Sequence, residues 1–289
     1  EYTQYHKNNI VNDYNKADII WLLADYKYTN IPIKILKNKK VITTIHHIDI
    51  DKIYEKNFNE LNKFTNIYHT ISESGYNELK KHTTKPIIKQ PFWINQNIWF
   101  NIEDKITLKN ELNLNTEEYL IGSFQRDTEG NSINSKKFEP KMSKGPDILI
   151  EVIKIYKKKY SKLAVVLTGY RRQYVIKKLK ELNIKYYYFE NIDKTKLNKL
   201  YNSLNLYIVS SRVEGGPRAI VESAITKTPI ISTNVGIVSE ILDSKSIYTN
   251  SDSAVNSIPN VDYAYNKVIN LIIPNGFNNF NKMFSKAYY

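Results

Sequence analysis

From residue 118 onward, short β-rich apolar runs alternate with helical patterns, and this alternation constrains the fold more than any other feature of the chain. The runs are "EYLIGSF" (118–124), "KLAVVLTG" (162–169), "IKYYYFE" (184–190), "NLYIVSS" (205–211), "TPIIST" (228–233) and a short "SIYT" (246–249). Helical periodicity fills the gaps near 145–159, 171–182, 193–203, 217–227 and 237–243, and returns near 261–272. Strand, helix, strand at this spacing means parallel pairing through right-handed crossovers, hence a doubly wound α/β sheet. The first part repeats the signature less completely, with strands near 18–24, 40–45, 66–71 and 86–90, and reads as a second α/β unit. "PFWINQNIWF" (91–100), opening on Pro91, is the candidate link.

A chain of 289 residues that is 42% hydrophobic and 25% charged can bury a sizeable core. No apolar run approaches the roughly 20 residues needed to span a bilayer, and the N-terminus lacks the pattern of a signal peptide. The absence of Cys excludes a disulfide framework and thiolate metal sites, and makes the cytoplasm the default expectation. A formal charge of +13 favours anionic company. Nucleic acid, an anionic membrane face and phosphorylated small molecules all satisfy it, as does a solvated lysine-rich surface.

Glycine placement narrows the choice. Only Gly75 precedes Gly122, and the others follow, so a glycine-dependent phosphate site belongs mainly to the second unit. The stretch "SSRVEGGPRAIVES" leads from a strand end into a helix, where open α/β sheets bind ligands. Pro217 suits the first helical position with Gly216 as cap, so the helix amides and dipole form an anion site. Glu214 stands in the loop beside that helix start. Glu222 lies about a turn and a half inside the helix, on the order of 8 Å further along. Each carboxylate can accept two hydrogen bonds from a vicinal diol. Two diols flanking a diphosphate is the layout of a nucleotide sugar.

Glu214, seven intervening residues and Glu222, followed by "SAITKTPIISTNVG", resemble the E-x7-E signature of the retaining glycosyltransferases of group 1, the family-4 class. "GSFQRD" with "KGPDILIEV", "VVLTGY" and the tail "FNNFNKMFSKAYY" extend the resemblance from about residue 18 to the end. It implies a GT-B architecture, two Rossmann-like domains facing a cleft: an acceptor domain at 1–93, a nucleotide-sugar-binding domain at 94–272, and a C-terminal helix at 273–289 that packs back toward the first. The first domain is expected to be incomplete or minimal, since the family's usual first strand and glycine-rich loop are not found.

The resemblance implies the residue roles. Glu214 would hold donor-sugar hydroxyls and Glu222 the ribose. Arg126 and Lys144, with Lys141 as the alternative to Lys144, would neutralise the diphosphate, aided by the helix-start backbone of Gly215, Gly216, Pro217 and Arg218 and by the strand-end turn that carries Gly122. In "TIHHID", His46 or His47 would lie near the reacting carbon, with only one of two neighbouring strand residues facing the site. Base recognition would draw on the backbone of the loops Gly169–Arg172 and Glu190–Ile192, the latter including Asn191. The three tyrosines 186–188 read as packing residues. No metal and no cofactor beyond the nucleotide sugar is expected. The expected partners are that donor and an acceptor hydroxyl on a glycan or lipid, with an anionic membrane face as a docking surface at the inner membrane and no nucleic acid. The rivals are a nucleotide-sugar epimerase on the same fold and a non-enzymatic basic binder of nucleic acid or anionic surfaces.

Overall fold

The computed structural model describes residues 2–6, 10–49, 57–130 and 136–289. The chain divides into two compact units, Glu1–Asn95 with Asn270–Tyr289, and Gln96–Ile269. Residues 94–95 and 270–272 thus group with the first unit.

Among the described residues the first unit holds a four-stranded sheet in the order β1 (Ile19–Leu22), β2 (Lys40–Thr44), β3 (Ile67–Thr70), β4 (Ile87–Lys89), all parallel. Alternation assigns each strand residue to one of two cores. Ile20, Leu22, Val41 and Tyr68 join Leu36, Leu61 and Leu79 from the connecting segments. Ile42 and Ile67, with Ile19 and Trp21 at the margin, meet Phe277, Phe280 and Met283 on the opposite face. The helix Asn275–Tyr288 places those three at spacings of three, on one stripe. Together with Tyr2, Phe92 and Trp93 it covers that sheet face.

The second unit is a six-stranded parallel sheet among the described residues. Its strands are β5 (Tyr119–Ser123), β6 (Leu163–Thr168), β7 (Lys185–Phe189), β8 (Leu206–Val209), β9 (Ile230–Thr233) and β10 (Ile247–Tyr248). Their order is β10-β9-β8-β5-β6-β7, with Gly122 opposite Tyr207 across the β5–β8 pair. The chain therefore winds outward from β5 through β6 to β7, returns, and winds the other way from β8. That reversal is the doubly wound order, and it creates a switch point between β5 and β8. β6 is buried along its whole length, which is why "LAVVLT" is an unbroken apolar run. Tyr186 and Tyr188 of β7 pack against the core, while Tyr187 bonds Glu118 through its hydroxyl at 2.8 Å. No helix of the described residues is long and apolar enough to cross a membrane.

Candidate functional site

The carboxyl ends of β5 and β8 lie side by side at the switch point, and two glycines let the backbone close in around them. Gly145 takes a left-handed conformation (φ 58°), and a Cβ there would stand 1.8 Å from the Ser210 carbonyl oxygen. Any side chain would push the turn before the helix Pro146–Lys159 away from the end of β8. The two loops are then stitched together. Arg212 and Val213 donate backbone N–H groups to the Ser143 carbonyl at 2.9 and 3.1 Å, and the Arg212 guanidinium grips Asp147 with two bonds of 2.8 and 2.6 Å. Gly236, also left-handed (φ 53°), backs the other side, where a Cβ would meet the Gly215 carbonyl oxygen at 2.0 Å.

This closure brings Lys144 into an ion pair with Glu214, the two side chains 22% and 15% exposed. Gln125, two residues past β5, braces the pair from beneath. Its amide nitrogen donates to the Lys144 carbonyl at 2.8 Å and to Ser210 Oγ at 3.2 Å. Ser211 Oγ lies 3.0 Å from Gln125 Oε1 and 3.3 Å from Glu214 Oε1, and its single proton serves one of them at a time.

The helix Arg218–Ile225 starts beside this group, and no side chain caps it. Pro217 is its N-cap rather than its first residue, because a ψ of 121° leaves Pro217 extended. The expected Gly216 cap and the start at 217 are each corrected by one position. Glu222 sits in the second turn, only 8% exposed. Its Oε2 accepts a hydrogen bond from the Tyr201 hydroxyl at 2.9 Å, and Oε1 lies 3.4 Å from Arg218 Nε. Burial pushes its carboxyl pKa up, with Arg218 and Tyr201 pulling the other way.

The other anticipated residues are dispersed. Arg126 donates to the Gly130 carbonyl at 2.8 Å, and Lys141 pairs with Glu129 at 3.6 Å. Both partners belong to the polar insertion between Arg126 and Lys144, of which residues 131–135 lie outside the described residues. The insertion's flanks bond each other, Glu129 N to Glu139 O at 2.9 Å and Lys141 N to Asp127 O at 2.8 Å. It is a closed excursion, so Lys144 returns to the end of β5 despite its distance in sequence from Arg126. The base of the excursion rests on two buried arginines. Arg171 donates to the Glu129 carbonyl at 3.0 Å, and Arg172 pairs with Asp127 at 2.5 Å with both side chains inaccessible. Gly122 is inside β5, where a Cβ would stand 2.2 Å from Leu204 Cδ1, so packing accounts for this glycine. Asn191 is exposed and accepts from the Tyr170 hydroxyl at 3.1 Å, with Ile192 half-buried beside it.

In the first unit β2 ends at Thr44, so His46 and His47 lie beyond the strand and the expected alternation does not govern them. His46 Nε2 is 2.7 Å from the Leu23 carbonyl and its ring stacks on Phe92, while His47 is exposed. The histidine enclosed by this unit is one that pattern reading passed over. His69 Nε2 lies 2.8 Å from the Gln90 carbonyl and Nδ1 3.0 Å from Thr44 Oγ1, which in turn accepts from Trp21 Nε1 at 2.9 Å. A carbonyl can only accept, so Nε2 carries the proton. Burial lowers the His69 pKa to about 4. Its bonds are all spent within the fold, a structural role.

Gln125, Ser210 and Ser211 fall within the quoted stretches but carry no role of their own there, and Tyr201 lies outside them. Position after a strand end was the one available signal for the first three. Among the described residues no group of three or more His, Asp or Glu is placed to hold a metal ion.

A family model described as glycosyl transferases group 1 matches residues 117–282. Among curated proteins no sequence matches. Of solved structures, the sucrose-phosphate synthase of Thermosynechococcus elongatus superposes with a TM-score of 0.74 at 13% identity, covering 99% of this chain and 76% of that one. HepE from Anabaena, in complex with UDP and glucose, gives 0.73 at 14% identity over 93% of this chain and 78% of its own. TarM, from S. aureus, gives 0.67 at 16% identity over 99% of this chain and 57% of its own. At these identities the likeness is one of fold, the GT-B fold.

Proposed function

The chain belongs to the glycosyl transferases of group 1, and we propose that it moves a hexose-type sugar from a nucleotide diphosphate to an acceptor hydroxyl with retention of anomeric configuration. The observation that carries this reading is the Lys144–Glu214 pair beside the uncapped start of the helix Arg218–Ile225, with Glu222 buried in the same helix. Glu214, then the cation with the helix dipole, then Glu222 match the sugar, the diphosphate and the ribose of a nucleotide sugar. In this reading Lys144 turns from Glu214 to the diphosphate as the donor enters, which frees the Glu214 carboxylate for sugar hydroxyls. Breaking the bond between the anomeric carbon and the diphosphate oxygen leaves negative charge on the nucleotide. Lys144 and the backbone N–H groups of Gly215, Gly216 and Arg218 stabilise it, and Arg126, which spends one N–H on Gly130, supplies further donors. The acceptor oxygen bonds to the anomeric carbon and its proton passes to the departing diphosphate.

His46 and His47 enter the proposal through the family resemblance alone, as does the assignment of the acceptor to residues 1–93 and of the donor to 94–272. The proposal includes no metal, so turnover should persist in EDTA. The net charge of +13 supports docking on an anionic membrane at the cytoplasmic face, with a lipid-linked acceptor there. Binding to vesicles with, but not without, phosphatidylglycerol would bear this out.

The direct test is a thermal-shift series with UDP, GDP and ADP and their sugar conjugates. UDP comes first because HepE of the same fold was crystallised with it. A ligand at 100 times its Kd should stabilise by about 2.7 kcal/mol. Stabilisation by one base, lost in Glu222→Ala, is the expected result. Indifference to every nucleotide, or salt-sensitive nucleic-acid binding unaffected by Glu222→Ala, would defeat the reading.

A further inference from the structure

We infer that Tyr201 is a positioning residue for the donor site: its hydroxyl pins one oxygen of the Glu222 carboxylate so that the other is presented to the ribose hydroxyls of a nucleoside diphosphate. This rests on the reading of Glu222 just given and adds a residue that no motif marks.

The two carboxylate oxygens have unlike surroundings. Oε2 is held at 2.9 Å by a hydroxyl whose residue is 1% exposed. Oε1 faces Arg218, whose side chain is 70% exposed and 3.4 Å away. One oxygen therefore has a fixed, buried donor and the other a solvated cation that a ligand can displace. A carboxylate so enclosed must have its charge met by hydrogen bonds or take up a proton.

The donor is itself held in place. The Tyr201 ring meets Phe124 edge-on at 4.8 Å and Trp99 at 5.8 Å, and lies tilted against Tyr207 at 5.2 Å. The Tyr207 hydroxyl accepts the Phe124 backbone N–H at 2.9 Å. Phe124 immediately precedes Gln125, the brace of the Lys144–Glu214 pair. One ring cluster thus sets Glu222 in register with the turn that would grip the diphosphate. Burial raises the Tyr201 pKa well above the usual phenol value, so the hydroxyl stays a donor throughout the working pH range. The charged and titratable groups facing Glu222 are Tyr201 and Lys194 from one helix, Arg218 from its own, and Tyr207 from β8.

Tyr201→Phe keeps the ring and its packing and removes only the hydroxyl. The experiment measures Kd by calorimetry for UDP and 2′,3′-dideoxy-UDP between pH 5 and pH 8, in the wild type, Tyr201→Phe and Glu222→Gln. The guanosine and adenosine pairs are run alongside, so that base preference does not decide the outcome. The wild type should prefer the ribonucleotide. Tyr201→Phe should lose about tenfold to a hundredfold in ribonucleotide affinity, the worth of one hydrogen bond to a charged group. Its dideoxy affinity should stay unchanged. Its acid limb of ribonucleotide binding should move to higher pH, because the carboxylate has lost a donor that favoured its charge. Glu222→Gln should show no such limb. A Tyr201→Phe protein with the wild-type preference and the wild-type limb would overturn the inference while leaving the donor site standing. A wild type that binds both forms equally, or no nucleotide at all, would overturn the reading of Glu222 and the inference with it.

Discussion

Replacing Glu222 by Gln should weaken nucleotide binding and raise thermal stability together, a combination expected of a binding residue and not of a packing one. The binding loss follows from the carboxylate's two acceptor oxygens. A hydrogen bond to a charged group contributes about 1.5–3 kcal/mol, and a diol on this carboxylate should be worth roughly 2–4 kcal/mol, or ~30-fold to 1,000-fold in Kd. With ligand at 100 times the wild-type Kd, the wild type gains about 2.7 kcal/mol and a variant weakened a hundredfold about 0.4 kcal/mol. At roughly 2–4 °C per kcal/mol for a domain of 150–250 residues, the melting shift should fall from several degrees to about one. The stability gain has the opposite sign because burial raises the Glu222 pKa. An acid whose folded-state pKa is raised contributes stability below its unfolded value of 4.5, and that contribution is lost as pH rises through the folded value. Above that window the wild type carries a buried charge that Gln avoids. Ligand-free Glu222→Gln should therefore melt above the wild type at pH 8, the gap closing below about pH 4.5. Melting curves with and without UDP test both halves. A variant that binds within twofold of the wild type would take Glu222 out of the nucleotide site, and one that melts lower at pH 8 would mean that its buried charge costs the fold nothing.

Asp127→Ala should cost about 3–5 kcal/mol in urea unfolding by stranding the Arg172 guanidinium in a site 1% exposed. The double variant Asp127→Leu/Arg172→Met should recover most of that loss, and a single variant costing under about 1 kcal/mol would contradict the buried pairing. Gly236→Ala should lose about 1–2 kcal/mol to left-handed backbone strain alone. It should also weaken nucleotide binding, because its Cβ would displace Gly215; unchanged affinity would detach Gly215 from the site. His69 has a folded pKa near 4, below its unfolded value of 6.5, so its contribution is present above pH 6.5 and lost as pH falls toward 4. His69→Gln should flatten that part of the stability–pH profile in thermal melts, and an unaltered slope would place the titration elsewhere.

The second unit was legible because its strands are short, buried and separated by helices of ordinary length. "LAVVLT" and "LYIV" could be little else. Glu214 and Glu222 could be singled out because glycine, proline and a strand end surround them. The partners of those acids could not. Tyr201 looks like any aromatic on a helical apolar stripe, and its link to Glu222 exists only once that helix packs beside Arg218–Ile225. Lys144 was preferred to Lys141 from pattern, but what places it against Glu214 is the closed excursion 127–141, whose backbone bonds leave no trace in composition. The same excursion engages Arg126 through a carbonyl, which no residue type announces. At His46 and His47 the alternation argument failed for a simple reason: the strand stops at Thr44, two residues short.

Sugar transfer with retention can be read from NMR of the products formed from an α-linked nucleotide sugar that stabilises the chain, incubated with a panel of sugar and lipid-linked acceptors. Release of the nucleoside diphosphate together with an α-configured glycoside is the expected result, both abolished in Glu222→Ala. A β-configured product would contradict retention, and recovery of an epimerised nucleotide sugar with no glycoside would contradict transfer itself.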